Sequence, residues 1–221
     1  MNISKQVNVS LGTRCTLKCP KCRRTEFKEQ GIPIDGGDLS MEDFKKLAAK
    51  FDDLILCGGV ADPVLHPQFL EILEYSYKNG NRVSVSNAAS HRPSLWYKKA
   101  FTANPDATWI FGIDGLPKDS HKYRINQDGE KLFQMAKMAV SMGITVVWQY
   151  IIFKYNENDI EEARLLAEEN DMHFKIWKSD RWDNMQDPFL PTKKEFYNIG
   201  RRQRPAHFVG ETEKDVLWGE V

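Results

Sequence analysis

Three of the chain's four cysteines, Cys15, Cys19 and Cys22, lie within eight positions of one another in the segment LGTRCTLKCPKC. Their spacing is C-x3-C-x2-C, and the fourth cysteine, Cys57, follows 35 residues later. Thiolates bind both zinc and iron–sulfur clusters, but a closed structural zinc site needs four protein ligands, and the next histidine is His66. Three thiolates on a four-iron cluster would leave one iron open. A metal centre is therefore predicted, with a zinc loop or reduced structural thiols as alternatives.

Strand-like and helix-like segments alternate six times along the chain, at a spacing of roughly 30 residues. The strand-like runs are VNVSL (7–11), LILCGG (54–59), RVSVSN (82–87), ATWIFGIDG (107–115), ITVVWQYIIF (144–153) and HFKIW (173–177). Such alternation implies parallel strands joined by right-handed crossovers, in an open doubly wound sheet or an incomplete barrel. In either fold, reactive residues collect where strands end.

The helix-like segments carry their own start signals, and the pattern changes near the C-terminus. In LSMEDFKKLAAKF, Ser40 and Asp43 predict a capping box. After residue 178 the chain is loop-like, followed by a short helix in TKKEFYNIG capped by Thr192 with Glu195, and then by a tail without periodicity. We therefore predict a core domain at 1–180 and a C-terminal loop, short helix and tail at 181–221.

The cysteine spacing directly after a first strand resembles the signature of the radical S-adenosylmethionine (SAM) superfamily. Four further segments resemble motifs of that family, and each follows a predicted strand. They are CGGVADPVLHPQF (57–69), VSVSNAA (83–89), FGIDGLPKDSHKYR (111–124) and GITVVWQYIIFKYNENDIEEA (143–163). The last two are most similar to the peptide-modifying branch. The resemblance covers roughly residues 5 to 180 and implies an α/β fold, an incomplete (β/α)6 TIM-type barrel of parallel strands with a short irregular C-terminal appendage.

The resemblance also implies cofactors and a reaction. Cys15, Cys19 and Cys22 would bind one [4Fe–4S] cluster, and the open iron would chelate SAM. Reductive cleavage of SAM would give a 5′-deoxyadenosyl radical that abstracts hydrogen from a substrate, with a peptide or protein side chain favoured over a nucleotide or small metabolite. An external electron donor such as flavodoxin or ferredoxin is implied. Since no cysteine follows Cys57, no auxiliary cluster is expected.

The same resemblance places SAM contacts at seven positions. They are Gly58, Gly59, Asp62, Ser86, Asn87, Asp114 and Arg124. In the family, backbone groups of the glycine pair meet the amino group of SAM, and glycine permits that close approach.

Three departures from the family pattern affect individual contacts. Lys21 precedes the third cysteine, where an aromatic residue is common. The Glu of Gly-Gly-Glu-Pro is replaced by Val60-Ala61-Asp62 before Pro63, so the Asp62 carboxylate, which could substitute for it, sits at a different register. Gly112 replaces a serine that can meet the ribose. Ribose contacts would then fall to Ser86, Asn87 or Arg124.

Each of these residues also has a simpler interpretation. Cys57 at a strand end is typically a small buried hydrophobe, but as a fourth ligand it would indicate an iron–sulfur electron carrier. Asp62 could cap a helix, Asp114 could organise a turn, and Arg124 could form a surface ion pair. Gln149 could face a barrel lumen. A non-catalytic electron carrier and a zinc-stabilised binding module are therefore the alternative functions.

Charge and hydropathy exclude some partners. Lys plus Arg and Asp plus Glu both number 31 among 221 residues, so the formal charge is zero and does not favour nucleic acid. There is no apolar run of about 18 residues, so no membrane span is expected. The start MNISKQVNVS lacks a charged leader followed by an apolar block. We therefore expect a cytoplasmic protein without a membrane partner.

Overall fold

The computed structural model describes residues 5–182 and 184–198, in which six strands alternate with six helices. The strands are β1 (Gln6–Val9), β2 (Asp53–Leu56), β3 (Arg82–Asn87), β4 (Thr108–Gly112), β5 (Val146–Ile152) and β6 (His173–Lys178). The helices are α1 (Arg23–Glu29), α2 (Met41–Lys50), α3 (Phe69–Lys78), α4 (Ser94–Ala103), α5 (Gly129–Ser141) and α6 (Ile160–Glu168). Short 3₁₀ turns lie at Pro63–Leu65, Ser120–Lys122 and Lys194–Phe196.

The six strands form one sheet in the order β1-β2-β3-β4-β5-β6, and every neighbouring pair is parallel. Sequential order with a helix in each crossover is the arrangement of a (β/α) barrel and not of a doubly wound sheet. Among the described strands, β1 and β6 are the two edges, as in a barrel that does not close. The predicted fold class is confirmed.

Burial alternates along the central strands and distinguishes the two faces of the sheet. Trp109 of β4 packs against Tyr97 and Phe101 of α4, and Trp148 of β5 packs against Phe133 of α5. The outer face therefore buries the core under the helices. The residues between these positions are half-buried and face the barrel interior; they include Ser84 and Ser86 of β3, Ile110 of β4 and Gln149 of β5.

The start of α2 follows the predicted cap. Ser40 Oγ accepts a hydrogen bond from the backbone N–H of Asp43 at 3.1 Å, and α2 begins at the next residue, Met41. The Asp43 carboxylate accepts from the Ser40 hydroxyl at 2.7 Å. Satisfying an otherwise unpaired N–H in this way stabilises the first turn.

Two segments differ from the sequence-based prediction. Helix α1 was not predicted, and it buries none of its side chains, so it lacks an apolar stripe that would reveal it. The cap predicted at Thr192 with Glu195 is wrong: among the described residues of this segment a 3₁₀ turn forms at Lys194–Phe196, without a side-chain cap. The backbone N–H and hydroxyl of Thr192 instead donate to the Glu157 carboxylate. Residues 199–221 of the predicted tail lie outside the described part of the chain.

Across the described ranges, the structure has no helix of the length and apolar character that crossing a bilayer requires.

Candidate functional site

The cysteine loop, residues 10–22, follows β1 and is folded by its own backbone bonds. Leu17 N–H donates to Cys15 Sγ at 3.4 Å, and Cys22 N–H donates to Cys19 O at 3.0 Å. Cys22 is the N-cap of α1. Lys18 N–H reaches across to a carbonyl beyond β4, that of Ile125, at 3.0 Å. The loop is thereby held over the C-terminal edge of the sheet.

The three cysteines of this loop lie in or against one apolar cluster. Cys19 is buried within it, and Cys15 and Cys22 pack against it. The other buried members are Leu17, Tyr123 and Phe153. All three cysteines are free thiols. Burial raises the pKa of Cys15 and raises that of Cys19 to about 12, and both thiols also interact electrostatically with Cys22. The raised pKa values favour the protonated thiols of Cys15 and Cys19, so binding a metal through these two side chains must release protons.

Three cysteines of one loop are a donor set that an iron–sulfur cluster can use. Within residues 5–182 and 184–198, no three His, Cys, Asp or Glu side chains are grouped closely enough to hold one metal ion.

Cys57 has different contacts from the other three cysteines. Its thiol lies 3.7 Å from Asn8 Oδ1 on β1, and its N–H donates to Val9 O at 3.2 Å. Burial alone raises its pKa, whereas the pKa values of Cys15 and Cys19 also respond to the charges of neighbouring thiols. These contacts favour the interpretation of Cys57 as a buried strand-end residue.

The glycine loop, residues 57–62, lies beside the cysteine loop. A Cβ on Gly58 would collide with the backbone of Ala61, so glycine is required there by the loop's own tight turn. A Cβ on Gly59 would meet nothing within 4 Å, which leaves its backbone approachable by a ligand. The two predicted SAM contacts therefore have different physical roles in the fold.

Asp62 ends the glycine loop and joins it to two other segments. Its Oδ2 accepts from the N–H groups of Ala88 and Ala89, both at 2.8 Å, and its Oδ1 accepts from Val64 N–H at 3.3 Å. Its own N–H donates to Arg14 O at 2.8 Å. Burial raises the pKa of Asp62 to about 6, although these three N–H bonds act in the opposite direction. The carboxylate both caps the 3₁₀ turn and fixes the end of β3.

The two predicted contacts on β3 point to opposite sides of the sheet. Asn87 is buried on the helix side, where its Nδ2 donates to Tyr97 Oη at 2.8 Å, and Tyr97 in turn donates to Ala89 O at 3.0 Å. Ser86 is half-buried on the barrel side. Ser86 and Cys57 both follow the registered pair Leu56–Val85, so they lie in one row across the sheet. Of the two, Ser86 is the one placed to meet a ligand inside the barrel.

Asp114 and Arg124 form a buried ion pair at the end of β4. Arg124 Nε lies 2.7 Å from Asp114 Oδ2, and Asp114 Oδ1 accepts from Ile151 N–H at 2.9 Å. Burial by itself would lower the pKa of Arg124, but the Asp114 carboxylate more than offsets this and raises it. A Cβ on Gly112 would lie 2.8 Å from Arg124 Nη2. The absence of a side chain at Gly112 thus makes room for the guanidinium.

The chain after β6 returns to cover the cysteine loop. Lys21 Nζ lies 2.8 Å from Asp187 Oδ2, whose side chain is fully buried, and Arg181 Nη1 donates to Lys21 O at 3.4 Å. Trp182 and Phe189 both contact the Phe153 ring. Lys21, which stands where the family pattern has an aromatic residue, therefore anchors this returning segment.

The structure brings together most of the predicted site residues at one edge of the sheet. Cys19 interacts electrostatically with Asp114 and Arg124, and Cys15 interacts with Asp62. Asn87 is turned away from this group. The roles of all seven residues as SAM ligands remain predictions.

Two residues with central contacts were not found from the sequence. Arg24 Nη1 donates to carbonyls of both loops, those of Thr13 and Val60. Gln127 Nε2 donates to Ala88 O at 2.6 Å and Gly112 O at 2.9 Å, which ties β3 to β4. The nearness of Arg24 to the third cysteine was an available signal, whereas nothing in the sequence around Gln127 indicates its role.

Comparison with known proteins gives relatives for most of the chain. No protein-family model matches it. The tungsten-containing aldehyde ferredoxin oxidoreductase cofactor-modifying protein of Pyrococcus furiosus is 25% identical over an alignment of 176 positions, and the match covers 73% of this chain and 48% of that protein. The chain therefore spans about half the length of this curated relative.

Solved structures share the fold at low sequence identity. Streptococcus suis SuiB bound to S-adenosylmethionine matches with a TM-score of 0.64 and 13% identity, over 86% of this chain and 44% of SuiB. Methylornithine synthase (PylB) matches with a TM-score of 0.59 and 17% identity, over 85% of this chain and 55% of PylB. Together with the parallel six-stranded sheet, these matches show that the chain shares its α/β fold with these two proteins.

Proposed function

We propose that the chain is a radical SAM enzyme in which Cys15, Cys19 and Cys22 bind one [4Fe–4S] cluster. The observation that carries the proposal is that Cys15, Cys19 and Cys22, unlike Cys57, all lie in or against one apolar cluster of side chains at the C-terminal edge of the sheet. When bound, the cluster would supply the electron that cleaves SAM to a 5′-deoxyadenosyl radical.

The protein's own residues would position SAM and exclude water. The backbone of Gly59 is open to a ligand, and Ser86 faces the barrel interior. Arg124, held beside the thiols by Asp114, provides a fixed positive charge for an anionic group. Trp182 and Phe189 cover the cysteine loop from the C-terminal side. Such a dry, preorganised edge is what a reactive radical requires.

The substrate class is proposed by analogy with structural neighbours. SuiB has been crystallised with its precursor peptide SuiA, and anSMEcpe with AdoMet and a peptide. We therefore favour a peptide or protein side chain as the substrate, an external donor such as flavodoxin or ferredoxin as the electron source, and the cytoplasm as the location.

The decisive experiment is anaerobic reconstitution with iron and sulfide, followed by dithionite and SAM. The proposal expects 5′-deoxyadenosine as a product of the wild-type protein. Cys19→Ala should abolish both the cluster and the product, whereas the matched variant Cys57→Ala should retain both. A reducible cluster that never cleaves SAM, and that Cys57→Ala destroys, would identify an electron carrier instead. One bound zinc and no visible iron–sulfur absorption would identify a zinc-stabilised module.

A further inference from the structure

One guanidinium joins the cysteine loop to the glycine loop. Arg24 lies in the first turn of α1, two residues after Cys22, and its Nη1 donates to Thr13 O and, at 3.2 Å, to Val60 O. Thr13 belongs to the cysteine loop and Val60 to the glycine loop. Because these loops leave different strands, the Arg24 head group fixes their separation at the sheet edge.

The same side chain keeps one donor unused within the described part of the chain. Arg24 Nε is buried, and no acceptor in the described residues bonds to it. Buried polar groups in folded proteins nearly always have a partner, so an unpaired N–H next to a predicted ligand site indicates that the ligand is the partner.

Arg24 lies between the first and third cysteines of the motif. Its Nη1 donates to the carbonyl of Thr13, two residues before Cys15, and Arg24 itself follows Cys22 by two residues. A thiolate-bound cluster becomes one unit more negative when it accepts an electron. A fixed cation and an N–H donor close to its sulfur ligands stabilise that reduced state and raise the reduction potential.

We propose that Arg24 is a positioning residue that raises the reduction potential of the cluster held by Cys15, Cys19 and Cys22. It does so through its charge and its Nε–H, while its Nη1 holds the two loops in register. This inference rests on the proposed function, because it presupposes a cluster at the three cysteines. It gives a role to a half-buried cation whose hydrogen-bond partners, among the described residues, are both carbonyls.

The test is an EPR-monitored redox titration of the reconstituted proteins with dithionite as the one-electron reductant. Arg24→Gln, which removes the charge, should give a more negative midpoint potential than the wild type. Arg24→Lys, which keeps the charge and loses the Nε donor, should fall between them. Arg23→Gln is the matched control: the Arg23 guanidinium lies over the Phe27 ring at 4.9 Å, and its loss should leave the potential unchanged.

Equal midpoint potentials in the wild type and Arg24→Gln, at equal iron content, would overturn the inference. If Arg24→Gln fails to take up iron, the pair Arg24→Lys and Arg23→Lys decides, and equal potentials in those two proteins would also overturn it. A wild-type protein that binds no cluster would instead refute the proposed function, and that failure is visible in its iron content before any variant is made.

Discussion

Asp62 is the side chain that connects the glycine loop to the end of β3, and it does so as a buried carboxylate. Its two oxygens accept three backbone N–H groups, which would otherwise be unpaired in the protein interior. The sequence predicts that Asp62 contacts SAM in place of the acidic residue that the family has in this segment. The observed bonds give it a structural role that depends on its charge state, and this role makes the residue testable by pH.

Asp62→Asn is predicted to remove part of the pH dependence of stability. The pKa of Asp62 is about 6 in the folded chain and about 3.9 when unfolded, so the folded state binds the proton more tightly. The contribution of the Asp62 proton to the free energy of unfolding is about 2–3 kcal/mol. It is fully present below pH about 4 and is lost as the pH rises through about 6. Urea unfolding between pH 4 and pH 7 measures this difference.

The matched control for this titration is Asp106→Asn, at an exposed position. That variant should keep the wild-type dependence, while Asp62→Asn should show a flatter one. If the stability of Asp62→Asn fell with rising pH as steeply as that of the wild type, another group would be responsible.

Gly112→Ser, which restores the residue typical of the family, is predicted to destabilise this chain by about 1–3 kcal/mol. Its Cβ would lie 2.8 Å from Arg124 Nη2, and the guanidinium cannot move freely because it is paired with Asp114. Thermal and urea unfolding measure the loss. In the control Gly37→Ser, the new Cβ meets nothing within 4 Å, so little change is expected. Equal effects at both positions would show that the contact with Arg124 is not the cause.

Among the elements, the segment that follows β6 is the one whose role the sequence did not indicate. Its loop-like composition suggested an appendage, yet Asp187 and Arg181 bond to Lys21 of the cysteine loop. Phe189 also lies 5.2 Å from the Tyr123 ring, centroid to centroid. The boundary predicted at residue 180 remains a prediction, but residues beyond it cover the candidate site.

Asp187→Ala is predicted to destabilise the protein by about 3 kcal/mol, because it leaves a mostly buried Lys21 ammonium without this carboxylate. It should also speed the loss of iron from a reconstituted cluster to a chelator, since the pair anchors the loop that carries the thiols. Urea unfolding and the rate of iron release measure the two effects. The exposed pair Lys78–Glu74 provides the control Glu74→Ala, which should change neither quantity measurably. Wild-type iron release from Asp187→Ala would contradict the anchoring role.

The elements that sequence predicted well are those whose burial is periodic. In β3, β4 and β5, apolar residues alternate with half-buried ones, and these strands lie where the pattern places them. Helix α1 has no buried face, so its sequence shows no helical repeat of apolar residues from which it could be predicted. The Thr192 cap failed because a long-range partner, Glu157, accepts from both Thr192 donors. A local sequence pattern does not reveal a hydrogen-bond partner that lies 35 residues away in the chain.

For the whole molecule, parallel strands explain why the candidate site was largely predictable. Segments from four strand ends meet at one edge, so Cys19, Asp114 and Arg124 lie together although about 100 residues separate them in sequence. Side-chain direction was not predictable in the same way. Asn87 is turned toward Tyr97 because its position in β3 shares the helix-facing side with Val85. That face depends on the register, which a single sequence does not specify.

The last prediction concerns whether the core and the returning segment unfold as one unit. A chain ending at residue 180 loses the contacts of Arg181, Trp182, Asp187 and Phe189 with the cysteine loop and its aromatic neighbours. Losing several kcal/mol of packing and ion pairing should lower the melting temperature by about 10 °C or more. It should also weaken iron retention, because the cysteine loop becomes exposed to solvent.

The matched chain is one ending at residue 198, which keeps every contact described for the cysteine loop. Circular dichroism and tryptophan fluorescence should report one coincident transition for the full chain and for the chain ending at 198. The chain ending at 180 should melt earlier and bind less iron after reconstitution. If it matched the longer chains in both measurements, residues 181–198 would be an independent appendage, and the candidate site would be complete within the barrel alone.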